Sequence, residues 1–154
     1  MGRIDDRLVE RGIVLPNPSV PAANYVPWVR TGALVFIAGQ IPQWNGERRF
    51  VGRIGHEIDL AAAREAARLV GLNVLAQLKG ACEGDLDRVA RCVRLGGFVA
   101  CGPEFGDHPK VIDACSELMI EVFGDAGRHA RAAVGAPSLP FGVSVEIDGV
   151  FELR

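Results

Sequence analysis

The chain predicts an α+β domain, one mixed β-sheet with two long helices packed on one face, and three features of the sequence carry that prediction. From Leu60 to Ala81, apolar residues recur at three- and four-residue spacing (Ala63, Ala67, Val70, Val74, Leu78, Ala81), the period of a helix with one buried face. From Val143 onward the period drops to two. Val143, Val145, Ile147, Gly149, Phe151 and Leu153 fall on one side and Ser144, Glu146, Asp148 and Glu152 on the other, as a half-buried strand requires. Strand-like and helix-like segments follow one another in the order β-β-β-α-β-α-β-β, mixed but not strictly alternating, which fits a layer of helices on a sheet better than a doubly wound fold.

Taken in order, Ile4 to Gly12 reads as a short amphipathic helix with Leu8 on its apolar side and Gly12 as its stop. Pro16, Pro18 and Pro21 then force an extended segment, so residues 1–23 are a lead-in, extended or short-helical. The runs Tyr25 to Arg30 and Ala33 to Ile37 are joined by Thr31-Gly32, a hairpin signal. Asn45-Gly46 is a second such signal. It is expected to pair the strand through Ile41 with Arg49 to Gly52, completing an antiparallel meander. The 60–81 helix carries Arg64, Glu65, Arg68 and Gln77 on its polar side and ends at the loop around Gly84. Val89 to Ala100 is β-rich, with Gly96-Gly97 marking a bulge or a close approach of backbone. Asp107-His108-Pro109 opens the second long helix. Val111, Cys115, Leu118 and Val122 form its buried stripe, and Gly124 caps it. The run around Arg131 is a compact strand, broken by Gly135 and by Pro137 to Pro140 before the alternating strand begins.

The length of 154 residues corresponds to one domain spanning 1–154, and no repeat or linker divides it. A net charge of -2, one Tyr and two Trp provide neither the electrostatic attraction nor the stacking surface that nucleic-acid binding draws on. No segment approaches the ~20 apolar residues of a membrane span, and the charged N-terminus has no apolar leader core, so a cytoplasmic protein is expected. Cys82, Cys92, Cys101 and Cys115 form no C-x-x-C pair and read as reduced, buried thiols. His56, His108 and His129 are too scattered for a metal site, and each reads as a surface or capping residue. No nucleophile elbow or phosphate-cradling glycine motif is present. Two helices cannot cover both faces of the sheet. Its remaining apolar face therefore predicts self-association.

What remains for chemistry is the loop Ala38-Gly39-Gln40 and Tyr25, together with Arg131 and Glu146. If the Pro-rich turn folds the chain back, Arg131 and Glu146 can lie close together, a fixed guanidinium to grip a carboxylate beside an acid to position a proton. The bland alternative is a salt bridge with no catalytic role. The segments R-A-A-V-G-A-P-S-L-P and V-E-I-D-G-V-F, together with N-Y-V-P and F-I-A-G-Q-I-P upstream, resemble the RidA/YjgF family, also called the endoribonuclease L-PSP family. The resemblance covers the chain from about Asn24 to its end.

That resemblance implies a chorismate-mutase-like fold, a homotrimer with sites in the clefts between subunits, and hydrolysis of small 2-imino acids to 2-oxo acids and ammonia without a cofactor or metal. It assigns Arg131 to the substrate carboxylate, Glu146 to the attacking water, and Tyr25 and Gly39 to ligand contacts. Its alternatives are a non-catalytic trimer that binds small carboxylates, or an RNA-directed role. The chain departs from the family where Ala38 precedes Gly39-Gln40, where Ala132-Ala133 follow Arg131, at Asp113, which matches a position often Asn, and in extra length at the N-terminus and around Cys101 to His108. These differences point to a divergent branch.

Overall fold

The computed structural model describes residues 2–21 and 23–154; Ala22, within the expected lead-in, lies outside the described residues, as does Met1. A five-stranded mixed sheet has the order β1-β2-β7-β5-β6, built from β1 (Trp28–Thr31), β2 (Leu34–Gln40), β5 (Val89–Ala100), β6 (Ala130–Ala136) and β7 (Val145–Leu153). Every pairing is antiparallel except β5 with β6, which is parallel. Helices α2 (Leu60–Ala81) and α3 (His108–Phe123) pack on one face, and α1 (Arg3–Glu10) packs against α3. The core between helices and sheet is closed by Val35, Ile37, Leu95, Val99, Val145, Ile147 and Phe151 from the strands and by Val70, Val74, Leu78, Val111, Cys115 and Leu118 from the helices, all fully or almost fully buried. At about 1.5–3 kcal/mol per buried aliphatic or aromatic side chain, this one interface accounts for most of the driving force for folding.

Local chemistry sets the element boundaries. Asp59 caps α2 by accepting from the Ala62 N–H at 2.8 Å, and Gly124, at φ +64°, ends α3. The first turn of α1 has no cap of its own. Asp87, 84 and 83 residues away, accepts from the Arg3 and Ile4 N–H groups at 2.7 and 2.8 Å, which fastens the lead-in to the body of the fold and holds the Asp87 carboxyl below its usual range. Gly97 is a close approach, with a Cβ there falling 2.6 Å from Ile112 of α3, whereas the register shifts of β5 lie nearer its start, between Val89 and Arg91 and between Cys92 and Arg94. The bulge alternative for Gly96-Gly97 is thus set aside.

The expected meander does not form. Asn45 and Gly46, both at positive φ, make the turn, but β3 (Gln43–Trp44) and β4 (Glu47–Arg48) form a separate two-stranded ribbon. Pro42, which has no N–H to donate, separates β2 from the ribbon. Gln77, expected on the solvated side of α2, is 2% exposed. It and Asn73 hold loops rather than face water: Gln77 Nε2 donates to the Ser19 carbonyl at 2.8 Å and Asn73 Nδ2 to the Gln43 carbonyl at 2.7 Å. Ser144, expected on the polar face of the last strand, is fully buried, because its N–H bonds to the Phe50 carbonyl and the 50–54 segment covers it.

Candidate functional site

Glu146 is positioned by the parity of β7. Val145 and Ile147 on either side are buried against the helices, so Glu146 stands on the opposite face of the sheet. There it lines a cleft of about 150 Å³ together with Tyr25, Pro27, Gly39, Gln40, Arg48 and Phe141. Gly39 makes room for the carboxylate, since a Cβ at that position would meet the Glu146 Cδ at 3.0 Å. Between Ile37 and Gln40 the β2–β7 register shifts, which turns Gly39 toward Glu146. Burial pushes the Glu146 carboxyl above its usual range, and the nearby Asp148 carboxylate pushes it further the same way. Among the described residues the Glu146 carboxylate has no ion-pair partner, so it is free for a ligand or a water.

The wall of the cleft is the lead-in. Asn17 N–H donates to Asn45 Oδ1 at 2.8 Å, Gln77 holds the Ser19 carbonyl, and the Ser19 hydroxyl meets Gln40 Oε1 at 3.3 Å. The roof is Phe141, held at φ +61° in the short turn Pro140–Gly142, a conformation that costs energy in a residue other than glycine. The Arg48 guanidinium stacks on its ring, with Cζ 3.7 Å from the centroid.

Arg131 is elsewhere. Strand β5 lies between β6 and β7, with Arg131 paired to Leu95 and Glu146 to Phe98, so the two residues are two strands apart and offset by three residues. They also face opposite ways. Arg131 Nη1 donates to Asp113 Oδ1 at 2.7 Å and to Ser116 Oγ at 3.1 Å, both on α3. Ser116 Oγ in turn lies 2.8 Å from His129 Nε2, whose Nδ1 is 2.6 Å from the Gly127 carbonyl; burial lowers the His129 pKa, and the neutral ring donates through Nδ1 and accepts through Nε2. The expectation that a turn brings Arg131 to Glu146 within one chain is therefore corrected, because the turn joins strands that are not neighbours. Tyr25, Gly39 and Glu146 line one cleft. Arg48, Gln77 and Phe141 lie outside the site expected from the sequence, whereas Gln40 belongs to the expected loop Ala38-Gly39-Gln40. The one available signal for Arg48 was its place two residues after the Asn45-Gly46 turn.

All four cysteines are buried and unpaired. Burial pushes the Cys92 and Cys115 thiols up to about 12. Cys101 Sγ lies 3.4 Å from His108 Nε2 at the wall of a separate pocket. No group of three metal-ligating side chains occurs among the described residues, and no helix among them is long and apolar enough to cross a membrane.

A mixed sheet with its helices on one face and a half-buried acid on the other defines a class of α+β proteins with a small cleft at the sheet's open side. The chain belongs to the YjgF family: a family model described as "YjgF/chorismate mutase-like, putative endoribonuclease" matches residues 5–151. It is 40% identical over 154 residues to protein TCP17 of Trypanosoma cruzi, covering 99% of this chain and 96% of that one. Among solved structures it resembles Atu1372 of Agrobacterium tumefaciens, with 46% identity, TM-score 0.91, and coverage of 98% of this chain and 92% of that one. It also resembles a Shewanella oneidensis protein described as a "putative endoribonuclease", with 34% identity, TM-score 0.94, and coverage of 99% and 100%.

Proposed function

We propose that the chain hydrolyses small 2-imino acids to 2-oxo acids and ammonia at the Glu146 cleft, as a homotrimer. The observation that carries this reading is the convergence of Glu146, Tyr25 and Gly39 on one small cleft, with the acid half-buried and its pKa raised. Such an acid can hold a water against an imine carbon and take its proton as the C–O bond forms. The acid returns that proton to the nitrogen to give a carbinolamine, and passage of the remaining hydroxyl proton through the same acid to the amine lets the C–N bond break, releasing ammonia as the carbonyl closes. This chemistry needs positioning and one group that both takes and returns a proton.

Arg131 is the proposed carboxylate anchor, and in this fold it can serve only in the cleft of another copy. Two features support such an assembly. Strand β6 is a sheet edge, and Val29, Phe36 and Val134 leave roughly half their surface exposed on the face opposite the helices. The Arg131–Asp113 pair favours a second reading, in which Arg131 is structural and the cleft binds small carboxylates without turning them over.

The test generates 2-aminoacrylate or 2-iminobutanoate in place with a pyridoxal-phosphate-dependent dehydratase and follows keto-acid release. Acceleration by the protein, lost in Arg131→Ala and reduced in Glu146→Gln, is the expected result. Binding of 2-oxo acids without acceleration would replace the enzyme with the binder. Light scattering should give three times the monomer mass.

A further inference from the structure

We infer that Arg48 makes this cleft selective for ligands with two carboxylates, an inference that rests on reading the Glu146 cleft as the reactive site. In that reading one carboxylate, next to the imine carbon, is held by Arg131. The cleft nevertheless contains a second guanidinium of its own. Arg48 lines it in the same chain as Glu146, and no ion pair joins the two, so space remains between cation and acid.

Arg48 is fixed, and its charge is not used. The β3–β4 ribbon that carries it is tied down by the Asn17–Asn45 bond on one side and by the Asn73–Gln43 bond, from a buried Asn73, on the other. Phe141 takes one face of its guanidinium, which leaves the N–H edge free, and that edge is what grips a carboxylate in bidentate fashion. Arg64, Arg68, Arg94 and the adjacent Arg49 are paired with Glu117, Glu121, Asp148 and Glu47, and of the arginines without a carboxylate partner among the described residues only Arg48 lines the Glu146 cleft. Among the described residues Arg48 has no carboxylate partner. A guanidinium in the lining of a cleft, stacked on a ring and unpaired, is arranged for an anionic group. With the carboxylate beside the reacting carbon held by Arg131 of another copy, as proposed above, the group on Arg48 is a second, distal one. Gln43, paired with Arg48 across the ribbon, lines the same cleft and offers an amide for the polar length of such a ligand.

The experiment measures binding of 2-oxobutanoate and of 2-oxoglutarate, stable analogues with one and two carboxylates, to the wild-type protein by calorimetry. The dicarboxylate should bind tighter by about tenfold, the size of one charge-assisted pair. In Arg48→Ala and in the near-isosteric Arg48→Gln that ratio should collapse toward one, and Arg48→Lys, which keeps the charge and loses the fork, should fall between. Equal affinities in the wild type, a preference that survives both Arg48 variants, or no binding of either acid would overturn the inference. The imine assay separates the two ideas. A preference for the dicarboxylate without imine turnover sinks the deaminase and leaves Arg48 its role, while turnover without the preference sinks Arg48's role alone.

Discussion

Arg131 and Glu146 stand on opposite faces of the same sheet, one bonded to α3 and the other lining a cleft with Tyr25 and Gly39. Strand β5 separates their strands, so their backbones are about 10 Å apart across the sheet and about 10 Å along it. A guanidinium cannot span that distance around the sheet. Cooperation between these two residues therefore requires a second copy of the chain, and mixing inactive Arg131→Ala with impaired Glu146→Gln subunits should give more activity than the two show separately, because some clefts then receive one intact residue from each. No gain after exchange of subunits would show that the pair does not work across copies.

The Glu146 acid gives a pH prediction with a definite sign. Its folded pKa is raised by burial and then by Asp148, so the folded state binds its proton more readily than the unfolded chain does. The resulting cost is absent below the unfolded value and grows as pH rises through the folded one. Glu146→Gln should therefore melt higher than wild type at about pH 7, and the two should converge near pH 4. Thermal melts across this range check it; a variant less stable at neutral pH would contradict the assignment of burial as the main cause. Turnover in the wild type should fall as the acid becomes protonated.

Gly39→Ala places a methyl 3.0 Å from the Glu146 Cδ. The carboxyl end can swing away, so stability should change by less than about 1 kcal/mol. Ligand affinity or turnover should still drop by about tenfold, because an acid displaced by even an ångström loses its alignment with the water. Urea melts set beside binding curves separate the two effects.

Gly97→Ala is the contrasting case. Its Cβ would lie 2.6, 2.7 and 2.9 Å from three carbons of Ile112, inside the layer between β5 and α3 where nothing is loose. A loss of about 1–3 kcal/mol is expected in chemical denaturation, and Ile112→Val in the same chain should restore part of it.

Thiol chemistry should discriminate among the four cysteines. Cys82, Cys92 and Cys115 are fully buried, and the thiols of Cys92 and Cys115 are pushed up to about 12, so their thiolate fraction is negligible near neutrality. Cys101 is 6% exposed and lines an open pocket beside His108. In the native protein Cys101 should react first with a maleimide, and peptide mapping reads the order directly.

The sequence by itself determined the elements. Leu60–Ala81 and Val89–Ala100 came out to the residue, and α3 opens and closes where His108-Pro109 and Gly124 place it, because period and capping act within a few residues of chain. It also determined that Glu146 leaves the core side of its strand, since parity is a local property. Only the tertiary structure decided which strands are neighbours. Inserting β5 between β6 and β7 is a long-range choice, made by hydrogen-bonding β5 to both neighbours while its apolar side faces the helices, and it moved Arg131 away from Glu146. It decided as well that Asn73 and Gln77 hold the loops of the cleft from inside, and that Arg48 on a two-residue strand arrives beside Phe141, nearly a hundred residues later. These contacts join segments distant in sequence, and no periodicity within either segment records them.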